Sequence, residues 1–208
     1  GNHEFNYGLP FLNQITGSSF KVKDVQAGAK PCAGPRFPIV LANIQSLQTK
    51  EPLFAPYRIL DKKIVATGAN GKPVETTVKV GIIGFTPPDI MSWDKRWLDG
   101  RVTPLDIRAT AEKYIPEMKK KGADLVVVLG HAGLDDSPYS AKMENTNWHL
   151  AKVPGVDVVL MGHAHQLFPN KDSTVGQFNL PGVDKVRGLV NGVPAVMPSQ
   201  WGKHLGVV

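Results

Sequence analysis

The stretch DLVVVLGHAG, residues 124–133, has a near copy in DVVLMGHAH, residues 157–165. Each consists of an aspartate, a short apolar run rich in β-branched residues, and then Gly-His-Ala. Uninterrupted apolar runs of this length are typical of strands buried on both faces. Between them, SAKMENTNWHLAKV, residues 140–153, has the pattern of a helix. Because a strand–helix–strand crossover is right-handed, we predict two parallel strands whose Gly-His turns lie at one edge of the sheet.

Three histidines follow these two runs: His131, His163 and His165. Ligands bind at the carboxyl ends of strands in open α/β sheets, so we expect His131 and His163 to lie side by side. Side chains two residues apart on an extended backbone point the same way, which would add His165. Neutral imidazole is a favoured ligand of zinc and other transition metals. The pattern therefore predicts a metal site, whereas His131 alone is also compatible with a hydrogen-bonded turn histidine.

The chain opens with GNHEF, a polar cluster that suits the same kind of site. Asn2 offers an amide oxygen as a ligand, and His3 is either a further ligand or a group that acts on the substrate. For Glu4, three roles are open: a metal ligand, a residue that contacts a ligand, and a solvent-facing residue. His149 lies in the predicted crossover helix beside Trp148, and we expect a structural or surface role for it. His204 has no spacing argument behind it, and we expect it to be structural.

Elsewhere the chain predicts more strands and one long helix. FPIVLANI, YRILDKKIVA and TTVKVGIIGF, which begin at residues 37, 57 and 76, have strand patterns, and the last two are joined by a turn. TPLDIRATAEKYIPEMKKKGA predicts a helix that is capped by Thr103 or Asp106, ends at Gly122, and is kinked or shortened at Pro116. PPDIMSWDKRWLDGRV is expected to be an irregular loop.

Composition argues against several classes of protein. The net charge of +6, from 24 basic and 18 acidic residues, favours a small phosphate-bearing ligand. The basic residues are scattered except at 119–121, which close the predicted helix, so a nucleic-acid polymer is not an expected partner. No apolar run approaches the roughly 20 residues of a membrane span. Cys32 is the single cysteine, which excludes an internal disulfide and a thiolate metal cluster.

The motifs GNHEFNYG, GHAG and GHAH, in this order, resemble the calcineurin-like metallophosphoesterases of the 5′-nucleotidase branch. They are most similar to the periplasmic 2′,3′-cyclic-nucleotide 2′-phosphodiesterase/3′-nucleotidases, and the likeness spans nearly the whole chain. It implies an α/β fold, part of an α/β/β/α sandwich lacking its N-terminal strands, in a periplasmic enzyme. The implied reaction converts 2′,3′-cyclic nucleotides to 3′-nucleotides and on to nucleosides. Attack would come in line from a hydroxide that bridges two divalent ions such as Zn, Mn or Co.

Carried over position by position, the resemblance makes Asn2, His131 and His163 ligands of one metal ion. It makes His165 a ligand of the other ion. His3 becomes the histidine that contacts the phosphate and stabilises or protonates the leaving oxygen.

One position departs from the 5′-nucleotidase pattern, in which an aspartate stands three residues after the catalytic histidine. Asn6 occupies that position here. An amide can accept a hydrogen bond but carries no charge, so His3 is expected to be a weaker acid–base group. The resemblance associates Asn6 with the cyclic-phosphodiesterase branch.

The family's Asp-x-His and Gly-Asp motifs precede Gly-Asn-His-Glu, and its nucleotide-binding domain follows the last strand. We therefore expect residues 1–208 to be the C-terminal part of the catalytic domain without these parts, to bind at most one metal ion, and to have little activity alone. Missing strands would leave an open sheet edge, through which the chain could associate with itself.

Three alternatives remain at this point: a 5′-nucleotidase or UDP-sugar hydrolase, a thiosulfohydrolase-like relative, and a metal-binding module without catalysis. The expected partner is a small nucleotide, with neither a nucleic-acid polymer nor a membrane.

Overall fold

The computed structural model describes residues 1–25 and 32–208. The strands are β1 (Ile44–Ser46), β2 (Tyr57–Thr67), β3 (Pro73–Phe85), β4 (Val102–Pro104), β5 (Leu125–Gly130), β6 (Val158–Met161), β7 (Leu167–Phe168), β8 (Val183–Asp184), β9 (Leu189–Val190) and β10 (Val193–Pro198). The α-helices are α1 (Gly8–Thr16), α2 (Ile90–Trp93), α3 (Lys95–Leu98), α4 (Ile107–Lys120) and α5 (Asn147–Leu150). Short 3₁₀ turns span His3–Phe5 and Gly176–Asn179.

An eight-stranded mixed sheet organises the chain, in the order β2-β3-β5-β6-β10-β9-β8, with β7 paired to β10. The strands β3, β5, β6 and β10 are parallel neighbours, and β2 is antiparallel to β3. In the register of β5 and β6, Leu129 lies opposite Leu160, so both strands end at the same edge. The predicted parallel pair with adjacent Gly-His turns is confirmed.

Helix α4 packs on one face of this sheet and forms the main core with it. Ile115 and Met118 of α4 are fully buried against Val126 and Val128 of β5. Side chains alternate across a strand, and Leu129 on the opposite face is 36% exposed. The expectation that these strands are buried on both faces is therefore wrong for the described residues, because Leu129 and Leu160 border a cavity, also lined by Leu12 of α1, instead of a packed core.

A second core holds the start of the chain in place. Phe5, Leu9 and Leu12 of the first turn and α1 pack with Ile90 and Leu98 from α2 and α3, and all five are almost completely buried. This cluster ties the opening GNHEF segment to the segment that follows β3, which is the arrangement that positions the site.

Several elements differ from the predictions. The crossover contains only a four-residue helix, α5, and residues 140–146 form a loop. The expected strand at 37–44 is reduced to a bridge at Val40 and to β1, which begins at Ile44. The loop predicted at 87–102 contains α2 and α3. Helix α4 is capped by Asp106 as predicted but continues through Pro116 to Lys120.

At one edge of the sheet, β2 pairs only with β3 among the described strands. Lys62 and Lys63 lie on β2, and lysines on an edge strand oppose pairing with another chain. Association through a sheet edge stays a prediction. No helix in the described ranges combines the length and apolar character that a membrane crossing requires.

Candidate active site

The turns after β5 and β6 bring two imidazoles together. The ring centroids of His131 and His163 are 5.4 Å apart. The first turn is held by Asn147, a fully buried residue whose Nδ2 donates to the backbone oxygens of Gly130 and Ala132 at 2.9 and 2.6 Å. A Cβ on Gly130 would collide with the Asn147 side chain, so this close approach requires glycine.

Asn2 joins this pair from the start of the chain. Its side chain is buried, and its Oδ1 lies 2.8 Å from Nε2 of His131. Gly1 passes so close to His131 that an added Cβ would lie 2.6 Å from the ring Cε1 atom. Phe5, 1% exposed, anchors the turn that carries Asn2. The structure therefore brings together Asn2, His131 and His163.

His163 is held by Glu144 and Trp93, which no spacing in the sequence connects to it. Its Nε2 lies 2.6 Å from Oε1 of Glu144, and its ring centroid is 5.4 Å from that of Trp93. Since Nε2 contacts Glu144, Nδ1 is the ring nitrogen available to an ion. The buried Oδ2 of Asp89 has no hydrogen-bond partner among the described residues, and burial and the charge of Glu144 raise the pKa of Asp89.

Burial is the main cause that lowers the pKa of His131 to about 4, and the neighbouring His163 adds to it. At neutral pH the His131 imidazole is therefore uncharged, which is the form that ligates metal ions. Glu4 is an exposed residue that borders the same cavity as His131, and its role as a ligand stays open.

His165 was expected to lie with the other two histidines, but it does not. His163 and His165 have φ angles of 65° and 57°, so the extended backbone assumed for them is wrong. His165 is exposed, and its ring centroid lies 6.4 Å from that of Trp201. Within residues 1–25 and 32–208, no group of three or more His, Cys, Asp or Glu side chains could hold a metal ion. The convergent set is two imidazoles and one amide.

This donor set fits one divalent transition-metal ion. Imidazole nitrogen and amide oxygen suit ions such as Zn²⁺ or Mn²⁺, and catalytic sites combine three protein ligands with an open position for water or substrate. Oδ1 of Asn2 and Nε2 of His131, the two atoms that would bind the ion, already face each other across a short distance in a direct hydrogen bond.

His3 lies at the exposed side of the same turn. Its Nδ1 is 2.8 Å from Oδ1 of Asn6, and Nδ2 of Asn6 donates to both carboxylate oxygens of Asp94 at 3.2 and 3.1 Å. Trp97 Nε1 donates to the backbone oxygen of Asn6 at 3.0 Å. Asn6 therefore contacts His3, as expected. The buried Asp94, which binds the Asn6 amide, was not expected from the sequence.

Of the two remaining histidines, His149 has a structural role, and the structural role of His204 stays a prediction. His149 is buried, its Nε2 lies 3.0 Å from the Ser137 oxygen, and its ring packs on Tyr139 and Trp148. His204 is exposed near the end of the chain.

The family model of the calcineurin-like phosphoesterases matches residues 1–167. The chain belongs to this family. It is 47% identical over 208 residues to the 2′,3′-cyclic-nucleotide 2′-phosphodiesterase/3′-nucleotidase of Salmonella typhimurium, covering 100% of this chain and 28% of that protein. The chain thus spans about a quarter of the length of this curated relative.

Two solved structures that are similar to this chain share its fold. The crystal structure of YfkN from Bacillus subtilis, described as a calcineurin-like phosphoesterase, aligns with a TM-score of 0.78 at 40% identity, covering 98% of this chain and 54% of that one. A 5′-nucleotidase precursor from Thermus thermophilus aligns with a TM-score of 0.58 at 28% identity, covering 98% and 33%. The predicted α/β metallophosphoesterase fold is confirmed.

Proposed function

We propose that the protein is a metal-dependent phosphohydrolase that converts 2′,3′-cyclic nucleotides to 3′-nucleotides and then to nucleosides. The observation that carries the proposal is the meeting of Asn2, His131 and His163 at one end of the sheet, with His3 beside Asn2 in the chain. The relative from Salmonella typhimurium, which bears this activity in its name, supports the choice of substrate.

The ion would be held by Oδ1 of Asn2, Nε2 of His131 and the ring of His163. When bound, a divalent ion supplies Lewis acidity, because it polarises phosphate oxygens and lowers the pKa of water. Glu144 fixes the ring of His163, and the buried Asn147 fixes the turn of His131. His165, whose imidazole is exposed, is proposed as a ligand of the second ion that the family resemblance implies.

His3 is proposed as the acid that serves the leaving group. Its Nδ1 faces Asn6, so Nε2 is the atom that exchanges a proton with the substrate. In the first step, water adds to phosphorus and the bond from phosphorus to O2′ breaks, while His3 in its imidazolium form gives its Nε2 proton to O2′. The oxygen of the water becomes a phosphate hydroxyl, and its other proton passes to solvent, from which His3 is protonated again. A general acid of this kind contributes roughly 10²- to 10⁴-fold to the rate.

The substrate profile of the protein at its full natural length tests the proposal. We expect turnover of 2′,3′-cyclic AMP and 3′-AMP, its loss with a chelator, and its recovery with added Mn²⁺ or Zn²⁺. Preference for 5′-AMP would replace the proposal with a 5′-nucleotidase, the activity named for the Thermus thermophilus relative. Bound metal without turnover of any of these nucleotides would indicate that the protein is a metal-binding module without catalytic activity.

We also propose that the protein acts in the periplasm, on the ground of the resemblance to periplasmic nucleotidases. Fractionation of the native cells tests this, since recovery in the cytosolic fraction would contradict it.

A further inference from the structure

A buried carboxylate stands behind the histidine proposed as the acid. Asp94 is only 5% exposed, although it lies between two short surface helices, α2 and α3. Both of its carboxylate oxygens accept from Nδ2 of Asn6, at 3.2 and 3.1 Å. The other end of that amide, Oδ1, lies 2.8 Å from Nδ1 of His3. A continuous chain of hydrogen bonds thus joins a buried charge to an exposed imidazole.

Only one assignment of donors and acceptors is possible along this series of hydrogen bonds. An ionised carboxylate can only accept hydrogen bonds, so Asp94 requires the NH₂ end of the Asn6 amide to face it. The amide oxygen must then face His3, and an oxygen requires a donor there. In neutral His3 the proton is therefore on Nδ1, and Nε2 carries the lone pair.

Backbone hydrogen bonds and packing hold Asp94 and Asn6 in place. The backbone oxygen of Asp94 accepts from the amides of Trp97 and Leu98 at 2.9 and 3.2 Å. The Trp97 indole donates to the backbone oxygen of Asn6, and the Leu98 side chain is fully buried. The carboxylate and the amide consequently belong to one packed unit, which limits rotation of the Asn6 side chain.

We propose that Asp94 is a positioning residue that acts through Asn6 to fix the ring orientation and the tautomer of His3. Asp94 does not touch the substrate. It prevents the Asn6 amide from turning over, which would present NH₂ to His3 and move the ring proton to Nε2. The catalytic consequence rests on the proposed function, whereas the tautomer does not depend on it.

The tautomer can be measured directly in the metal-free protein. Long-range ¹H–¹⁵N correlation spectra distinguish protonated from unprotonated ring nitrogens, and the His3 signals are identified by their absence in a His3→Gln variant. In the native protein we expect neutral His3 to carry its proton on Nδ1. In Asp94→Asn the new amide can either accept from or donate to Asn6, so both tautomers are expected.

Asp94→Ser is a second test with a smaller side chain. A serine hydroxyl can either donate or accept a hydrogen bond, so it no longer requires the NH₂ end of the Asn6 amide to face it. Asp99→Asn is the matched control, since Asp99 is an exposed carboxylate of the same segment. It removes an equal charge without touching Asn6 and should leave His3 unchanged. In the double variant Asn6→Asp/Asp94→Asn, the carboxylate accepts directly from His3, so the Nδ1–H tautomer should return.

Activity at full natural length gives the second readout. We expect kcat for 2′,3′-cyclic AMP to fall roughly 10- to 100-fold in Asp94→Asn with little change in KM, and to recover in the double variant. A folded Asp94→Asn or Asp94→Ser protein that keeps a pure Nδ1–H tautomer would overturn the proposal. Inactive native protein with the expected tautomer shift would contradict the proposed function and leave the role of Asp94 intact.

Discussion

Nε2 of His163 lies 2.6 Å from Oε1 of Glu144, 19 residues earlier in the chain. A carboxylate that accepts from one imidazole nitrogen fixes the ring, selects the tautomer and makes the other nitrogen a more basic ligand. The His163 side chain is 16% exposed, and that of Glu144 is 43% exposed, so the pair lies at the rim of the site. Glu144 therefore orients a proposed ligand without being one.

Glu144→Gln should weaken metal binding. Glutamine keeps the size of the side chain but can turn its NH₂ group toward His163, so the ring loses its charged partner. We expect the affinity for Zn²⁺ or Mn²⁺, measured by isothermal titration calorimetry, to fall roughly 10- to 100-fold. Glu112→Gln, which alters an exposed glutamate paired with Arg108, is the control and should bind as the native protein does. Equal affinities for Glu144→Gln and the native protein would count against this role.

Asn147→Ala should destabilise the protein through the turn that carries His131. The variant removes two hydrogen bonds and leaves the buried oxygens of Gly130 and Ala132 without these donors. We expect the free energy of unfolding in urea to fall by about 2–4 kcal/mol. Asn170→Ala changes an asparagine that accepts from Asp172 in a surface turn, and it should cost about 0.5 kcal/mol or less. A loss in Asn147→Ala no larger than that of the control would contradict the prediction.

Asp89 predicts a specific dependence of stability on pH. Burial, and then the charge of Glu144, raise the pKa of Asp89 above its ordinary value of 3.8 in the folded protein. The folded state then binds this proton more tightly than the unfolded state, so the carboxylate destabilises the fold increasingly as the pH rises above 3.8. Asp89→Asn should therefore be more stable than the native protein at pH ~7.

The advantage of Asp89→Asn should shrink as the pH is lowered through the raised pKa of the folded protein, because the carboxyl then takes up its proton in the folded state. It should vanish below 3.8, where the carboxyl is protonated in both states. Urea unfolding of both proteins across this range measures the difference. A variant that is less stable than the native protein at neutral pH would show that the charge of Asp89 has a partner or a use that the structure does not explain.

The parallel strands β5 and β6 were predictable because their repeated pattern specifies strand, direction and turn together. Helix α4 was predictable because Asp106 provides a local cap, with its Oδ1 2.7 Å from the Ala109 amide. Helix α1 was missed because it begins with Gly-Leu-Pro, residues that favour turns, and it is stabilised by burial of Leu9 and Leu12 in the second core.

The candidate site was predictable only in part. His131 and His163 follow from strand direction, but the left-handed backbone at His163 and His165 is a local conformation that an extended-strand argument does not anticipate. Asp94 and Glu144 depend on tertiary contacts, and Asp94 reaches Asn6 across 88 residues of sequence. No spacing rule connects side chains at such separations.

The most direct test of the metal site is the hydrolysis of 2′,3′-cyclic AMP by His131→Ala at full natural length, with bound metal measured in the same samples. Loss of a ligand removes several kcal/mol of stabilisation by the ion, so we expect less bound metal and a rate at least about 100-fold lower. His204→Ala, which changes an exposed histidine, should keep both metal and rate. Native metal content and native turnover in His131→Ala would contradict the account.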